Sequence, residues 1–343
     1  MKDSQQSKLH SIEALRFIFM LIICCWHNYA SSGVFRHGYL AVEFYFILSG
    51  FLIYKSFSKP QAASTIDYTI NKFRRFAPEY LIVLGYIYLR HLFLPVLAGN
   101  RDFDISFMMK MFPEILMLQD SGFYDGGANA PLWYLCILLV GGGLLYSFLR
   151  YNKRLATHVI IPLICLMGYT YLFGKSPNGS IEVWDVDGPI KATLVRGMAG
   201  MSLGILLACI YEKKCDFITK HHYLIDSASI VGIIMLFFVI ITKTYYDKYI
   251  LLFIPPVLLA CFNGKSLINK VFKSRIWLLL GGVSYEMLLL HFRIAIPLHE
   301  TLMEKCTIPI WLDYFIYCIL TVLISYLFKI MYNQLKSGLS FLQ

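Results

Sequence analysis

The chain has 343 residues, of which 58% are hydrophobic and only 15% are charged, and its mean hydropathy is +0.61. These values exclude an ordinary soluble globular protein, which carries more charge and fewer apolar residues. They predict an all-α, polytopic integral membrane protein. The formal net charge of +10 is then explained by membrane topology, and a nucleic-acid partner is not expected.

Apolar stretches of roughly 17 to 24 residues are long enough to cross a bilayer as helices, and about ten are found. They form one domain over residues 1–343, with spans near 10–30, 39–58, 75–97, 131–150, 156–173, 190–211, 222–243, 247–263, 277–297 and 310–333. A shorter amphipathic stretch at 105–118 predicts an interfacial or re-entrant helix.

Lysine and arginine are concentrated in alternate loops, which predicts that both termini are cytoplasmic. A cleaved signal peptide is the alternative interpretation of the first span, because Lys2 and Lys8 precede it and small residues follow Tyr29. Arg16 interrupts that apolar run, and removal of the segment would spoil the alternation of charge. The nine cysteines form no C-x-x-C pair, which favours small core residues over a disulfide or zinc framework.

Arg16 and His27 are two ionisable residues within the first span. Eleven residues correspond to three helical turns plus about 20°, so both side chains project from one face, about 16 Å apart along the axis. Ionisable groups are costly in hydrocarbon, so this face is expected to line a functional polar path. Each residue also has a structural alternative: Arg16 could extend to the cytoplasmic interface, and His27 could be a hydrogen-bond partner.

Further candidate residues follow along the chain. The second span contains Ser49, Gly50 and Phe51 in an aromatic stretch, and Lys72, Arg74 and Arg75 lie in a predicted cytoplasmic loop ahead of Pro78 and Tyr80. The later candidates are Trp133, Arg196, Ser284, Tyr285, Glu286 and His291. Taken alone, these residues also fit helix packing, an ordinary positive-inside loop or an interfacial aromatic belt. Glu286 could be an internal partner for a charge such as Arg196, or have a role of its own.

The order of these motifs resembles the membrane acyltransferase-3 family over roughly residues 11 to 295. The shared pattern is Arg-x(10)-His, then Phe-x-Leu-Ser-Gly-Phe, basic residues before Pro-x-Tyr, and a Ser-Tyr followed by a helix-borne histidine. Two positions depart from it. Lys72 stands where relatives commonly have an arginine, and Leu138 stands where many have a glutamate.

The resemblance implies an acyl-CoA-dependent O-acyltransferase that moves an acetyl group from cytoplasmic acetyl-CoA to a hydroxyl of a cell-surface or exported polysaccharide. His27 would be the general base, with Arg16 also catalytic. The donor would be bound by Lys72, Arg74, Arg75, Ser49, Gly50 and Phe51. Trp133, Arg196, Ser284, Tyr285, Glu286 and His291 would line the site, without a metal. The expected location is a bacterial plasma membrane, and the oligomeric state is open.

Two alternatives remain at this stage. Ten helices with buried ionisable groups also fit a proton-coupled transporter. Within the enzyme class, the acyl group could be succinyl, or the acceptor a small molecule, because the sequence contains no measure of acyl length.

Overall fold

The structure is a computed structural model that describes residues 2–29, 33–99, 102–122, 126–176, 178–184, 186–187, 190–242, 245–304, 306 and 308–340. The predicted all-α architecture is confirmed. Two predicted span ends, Ala30 and Lys243, lie outside the described residues, as do Asp185 and residues 123–125 of the predicted loops.

The long helices are α1 Lys2–Asn28, α2 Ala41–Phe57, α3 Thr65–Leu97, α6 Trp133–Tyr151, α7 Lys153–Lys175, α8 Ala192–Lys220, α9 His222–Ile241, α10 Ile250–Phe262, α12 Ile276–Met303 and α13 Ile310–Ser340. The short helices are α4 Ile105–Met109, α5 Met111–Ile115 and α11 Leu267–Val271. An antiparallel pair of two-residue strands, β1 Val186–Asp187 and β2 Ile190–Lys191, precedes α8. Turns of π-helix interrupt α3 at Leu89–Phe93, α7 at Ala156–Ile160 and α12 at His291–Ala295.

Nine helices in the described part of the chain are long and apolar enough to cross a membrane. The span predicted at 247–263 corresponds to α10, which has only 13 residues and follows a 3-10 turn. Its two ends nevertheless reach opposite sides of the bundle. Asp247 accepts a hydrogen bond from the Tyr39 hydroxyl before α2, and Asn263 donates to the Ile218 carbonyl near the end of α8. In the described residues, α10 therefore passes between the same two sides as the nine longer helices.

Successive helices alternate in direction, which gives the bundle two distinct sides. We call the side that contains Lys55, Arg75 and Arg150 the basic side. The loop side is the opposite one, with the connections between α1 and α2, between α3 and α6, and between α7 and α8.

The start of α3 differs from the expectation that Lys72, Arg74 and Arg75 lie in a loop. The helix begins at Thr65, because Ser64 caps it: its hydroxyl accepts a hydrogen bond of 3.1 Å from the Asp67 amide. A serine followed three residues later by an acidic residue is a sequence signal for a helix start. The three basic residues are consequently fixed on a helix, and their spacing decides which of them face inward.

Helices α2 and α8 pack closely through glycines. A Cβ atom on Gly50 would lie 1.8 Å from the Met201 carbonyl oxygen, and one on Gly204 would lie 1.9 Å from that of Ile47. Small residues allow such an approach between membrane helices. This contact fixes which face of α2 turns toward the bundle interior.

The stretch predicted as one interfacial helix forms two short helices, α4 and α5, on the loop side. Glu114 of α5 anchors them: it is 2% exposed, and its carboxylate accepts hydrogen bonds from the Tyr88 hydroxyl and the Ala128 amide. Burial raises the pKa of Glu114, while these two donors lower it. The short helices are thus attached to α3 and to the segment before α6.

Candidate active site

One cavity of about 1520 Å³ runs through the bundle between α1, α2, α3, α6, α12 and α13. Lys55, Lys72 and Arg75 line it toward the basic side. Trp133, Glu182 and Trp184 line it toward the loop side. Its lining residues therefore come from both sides of the bundle, as expected for a site that receives one substrate from each side.

The wall contributed by α1 contains Arg16 and His27, as their spacing predicts. The other lining residues of this helix are Ile12, Glu13, Met20, Ile23 and Trp26. Together with Arg16 and His27 they form one stripe, in which successive positions are three or four residues apart except for two adjacent pairs. Arg16 lies toward the basic side and His27 toward the loop side. Their separation of about three turns means that Arg16 cannot touch an atom that is in contact with His27.

His27 forms a pair with His291, the first residue of the π turn in α12. The Nε2 atom of His291 lies 3.3 Å from Nδ1 of His27, and the ring centroids are 5.0 Å apart. His291 is fully buried, and its Nδ1 atom lies 2.9 Å from the Met287 carbonyl oxygen. A turn of π-helix at a functional position is a common arrangement.

These contacts determine where the protons of the neutral pair sit. A carbonyl oxygen can only accept, so Nδ1 of His291 carries the proton and its Nε2 atom accepts. Nδ1 of His27 lies near two acceptors, the Ile23 carbonyl at 3.0 Å and Nε2 of His291, so it is the donor. The lone pair of His27 is therefore on Nε2, which has no hydrogen-bond partner in the described part of the chain. His27 can act as a base toward the cavity.

Arg16 is not a free cation. Its guanidinium donates to both carboxylate oxygens of Glu13 at 2.8 Å, and its own carbonyl accepts from the Tyr45 hydroxyl. Both charged groups line the cavity. Glu13 is not among the site residues expected from the sequence, although a carboxylate three residues before an arginine on a helix is a recognisable pair.

The three candidates on α2 lie in different surroundings, and only one of them lines the cavity. Ser49 lines the cavity, with its hydroxyl 3.5 Å from that of Tyr134 on α6. Gly50 is packed against α8, and the ring of Phe51 stacks on Phe262 with centroids 4.0 Å apart. Each residue rotates the helix by about 100°, and this rotation turns Gly50 toward α8 and Phe51 toward Phe262 of α10. Among the described residues Gly50 and Phe51 contribute packing, not cavity wall.

The three basic candidates on α3 also differ in whether they line the cavity. Lys72 and Arg75 are three residues apart and line the cavity, whereas Arg74 is exposed and does not. The Lys72 ammonium lies 5.2 Å from the centroid of the Tyr68 ring. Together with Lys55, these residues give the basic end of the cavity its positive charge.

Three candidates on α12 line the cavity wall: Ser284, Tyr285 and Glu286. Glu286 pairs with Lys329 of α13 at 2.7 Å, so the suggested pairing with Arg196 is wrong. The Tyr285 hydroxyl donates to the Phe76 carbonyl at 2.7 Å. The Ser284 hydroxyl has no hydrogen-bond partner in the described residues and is available for a ligand.

Arg196 is bound instead to Glu43, in a salt bridge of 2.5 Å in which both side chains are buried. It also donates to the Tyr39 carbonyl, while Tyr169 donates to the second Glu43 oxygen. The guanidinium carbon lies 6.0 Å from the centroid of the Trp133 ring. Arg196 lines the cavity beside Trp133, and because burial of a charge requires such pairing, the cluster fixes this part of the wall.

Similarity to known proteins indicates the family to which a chain with this cavity belongs. A sequence model of one family, described as an acyltransferase domain, matches residues 9–330. The chain belongs to the acyltransferase-3 family. This membership, with the apolar helices, makes it an integral membrane protein with an acyltransferase domain.

The chain is also similar to individual proteins of Staphylococcus aureus. Proteins of strains COL, MSSA476 and MRSA252, each named "Putative O-acetyltransferase", are 22% identical to it over 353 aligned positions. The match covers 94% of this chain and 56% of each relative, so the chain spans little more than half of their length. No solved structure matches the chain.

Proposed function

We propose that this acyltransferase moves an acetyl group from acetyl-CoA, bound at the basic end of the cavity, to a hydroxyl of a cell-surface or exported polysaccharide that enters from the loop side. The protein would lie in a bacterial plasma membrane, with its basic side and both termini facing the cytoplasm. The observation that carries the proposal is one cavity with cations toward one side and an unpaired imidazole nitrogen toward the other.

The donor would be held by charge at the basic end. Lys72, Arg75 and Lys55 face the cavity where the phosphates of coenzyme A would lie, and cations bind phosphate strongly. The acyl-bearing arm would then extend past Arg16 and Glu13 toward His27. Arg16 would guide the donor along this path, since it is about 16 Å from His27.

The chemistry would be a direct transfer. Nε2 of His27 takes the proton of the acceptor hydroxyl while the hydroxyl oxygen attacks the carbonyl carbon of the thioester. The resulting tetrahedral intermediate collapses as the carbon–sulfur bond breaks. The thiolate of coenzyme A takes the proton from the imidazolium, which regenerates neutral His27. The products are an acetyl ester and free coenzyme A.

A proton-coupled transporter is a second candidate, because a cavity lined from both sides with ionisable walls also fits transport. The two proposals differ in their products. An acyltransferase leaves an ester on the acceptor, whereas a transporter leaves its substrate chemically unchanged.

The test compares extracellular polysaccharide from cells that lack the protein, cells with the wild type and cells with His27→Ala. Mass spectrometry and NMR should show an ester-linked acetyl group only in cells with the wild type, although the wild-type and His27→Ala proteins are both found in the membrane. Polysaccharide that is identical in all three strains would contradict the proposed activity.

A further inference from the structure

Glu182 and Trp184 have no part in donor binding or proton transfer as proposed above. They belong to residues 180–184, between α7 and β1, and both line the cavity toward the loop side. Trp133, at the start of α6, lines the same part of the cavity. These three side chains therefore line the end of the cavity at which the proposed acceptor would enter.

The segment that contains them is held firmly to the bundle. The carboxylate of Asp247, which is fully buried, accepts hydrogen bonds from the Ile181 amide at 2.8 Å and from the Tyr39 hydroxyl at 2.7 Å. The Ser180 hydroxyl accepts a further bond, from the Glu182 amide, at 3.0 Å. Glu182 and Trp184 are thus fixed in place and form a preorganised surface.

Two indoles form an apolar corner at this end of the cavity. The rings of Trp133 and Trp184 meet edge to face, with centroids 5.7 Å apart and planes at 79°. Trp133 is 7% exposed and supports the corner, whereas Trp184 is 47% exposed and offers an open ring face. A pyranose ring is amphipathic: its C–H faces pack on an aromatic ring while its hydroxyls point outward.

The polar group beside this corner is a carboxylate. Burial and the nearby Asp247 carboxylate raise the pKa of Glu182 above its ordinary value, although Arg196 and a hydrogen bond with the Trp184 side chain oppose this shift. The charge of Arg196 is already compensated by its salt bridge to Glu43. This end of the cavity therefore offers an acceptor for hydroxyl or amine protons, in contrast to the cationic end near Lys72.

We infer that Trp184, Trp133 and Glu182 form a sugar subsite that binds a neutral or amino pyranose ring and discriminates against uronic acids. The ring would pack on the Trp184 face, and one of its hydroxyls would hydrogen-bond to Glu182. The carboxylate of a uronic acid would lie against the Glu182 carboxylate and be repelled by it. The role of this subsite in catalysis rests on the proposed function, but sugar binding itself requires no donor.

The test is saturation-transfer NMR titration of the purified full chain in nanodiscs, without acetyl-CoA. The probes are the methyl glycosides of glucose, galactose, mannose and N-acetylglucosamine, with methyl glucuronide as the charged counterpart of the glucoside. At least one neutral glycoside should bind, and Trp184→Ala should weaken it by tenfold or more. Trp311→Ala is the matched control, because Trp311 is exposed, does not line the cavity and should leave binding unchanged.

The charge preference has its own readout. The glucuronide should bind at least tenfold more weakly than the tightest neutral glycoside, and Glu182→Gln should reduce that difference. The inference is overturned if no glycoside binds, if the two tryptophan variants behave alike, or if Glu182→Gln leaves the preference intact. Glycoside binding without acetyl transfer by the wild type would overturn the proposed function alone.

Discussion

Nε2 of His291 lies 3.3 Å from Nδ1 of His27, although the two residues are 264 positions apart in the chain. Because Nδ1 of His291 is committed to a backbone carbonyl, its other nitrogen can only accept the proton of His27. The buried ring thus fixes the tautomer and the orientation of the candidate base. His291 is not among the residues that line the cavity, so it acts through His27 as a positioning residue.

Replacement of His291 by phenylalanine should lower kcat for acetyl transfer by about 10- to 100-fold, because an orienting hydrogen bond is worth about 1–3 kcal/mol when its partner is buried. The KM for acetyl-CoA should stay nearly constant. His291→Gln retains an acceptor and should recover part of the rate. Steady-state kinetics of the three proteins measure this, and a raised donor KM with unchanged kcat would show that His291 has another role.

The cations on α3 should act on the donor phosphates. Lys72→Ala and Arg75→Ala are each expected to raise the KM for acetyl-CoA by about tenfold, since a charge-assisted bond contributes about 1.5–3 kcal/mol. Arg74→Ala is the matched control, because Arg74 is exposed and outside the cavity. The effects should vanish with acetyl-pantetheine, which has no phosphates. Equal KM changes with both donors would argue against phosphate binding.

Removal of Arg196 should destabilise the protein, because Glu43 would remain buried without its partner. Arg196→Leu is expected to cost about 3–5 kcal/mol of folding free energy, whereas Arg196→Leu combined with Glu43→Met should cost much less. Thermal unfolding in detergent, followed by size-exclusion chromatography, compares the two. If the double variant is as unstable as the single one, the salt bridge is not the origin of the loss.

Gly50 should matter for helix packing and not for donor affinity. Gly50→Ala places a Cβ atom against the Met201 carbonyl, so α2 and α8 must separate and the melting temperature should fall. At Gly85 on α3 no atom lies within 4 Å of an added Cβ, and Gly85→Ala should be neutral or slightly stabilising. A raised KM for acetyl-CoA in Gly50→Ala, at unchanged stability, would instead place Gly50 in the donor site.

The sequence predicts what periodicity and charge determine locally. The shared face of Arg16 and His27 follows from helical spacing, and the all-α membrane fold follows from composition. The start of α3 could also have been predicted, because Ser64 and Asp67 form a cap that the hydropathy pattern obscures.

Contacts between distant helices could not be read in this way. Arg196 and Glu43 are 153 positions apart, and nothing in either local pattern indicates that they meet. Likewise, the family motif around Ser49 does not show that Gly50 faces a neighbouring helix. Glu182 and Trp184 occupy a loop, where no periodicity indicates which side chains face the cavity.

The central claim is that Nε2 of His27 is the base for acetyl transfer. Its most direct test is single-turnover transfer from labelled acetyl-CoA to the acceptor polysaccharide, by wild type and His27→Ala in proteoliposomes with donor saturating. The variant should bind acetyl-CoA with unchanged affinity but transfer label at least 100-fold more slowly, as expected for loss of a general base. Transfer by His27→Ala at the wild-type rate would contradict the claim.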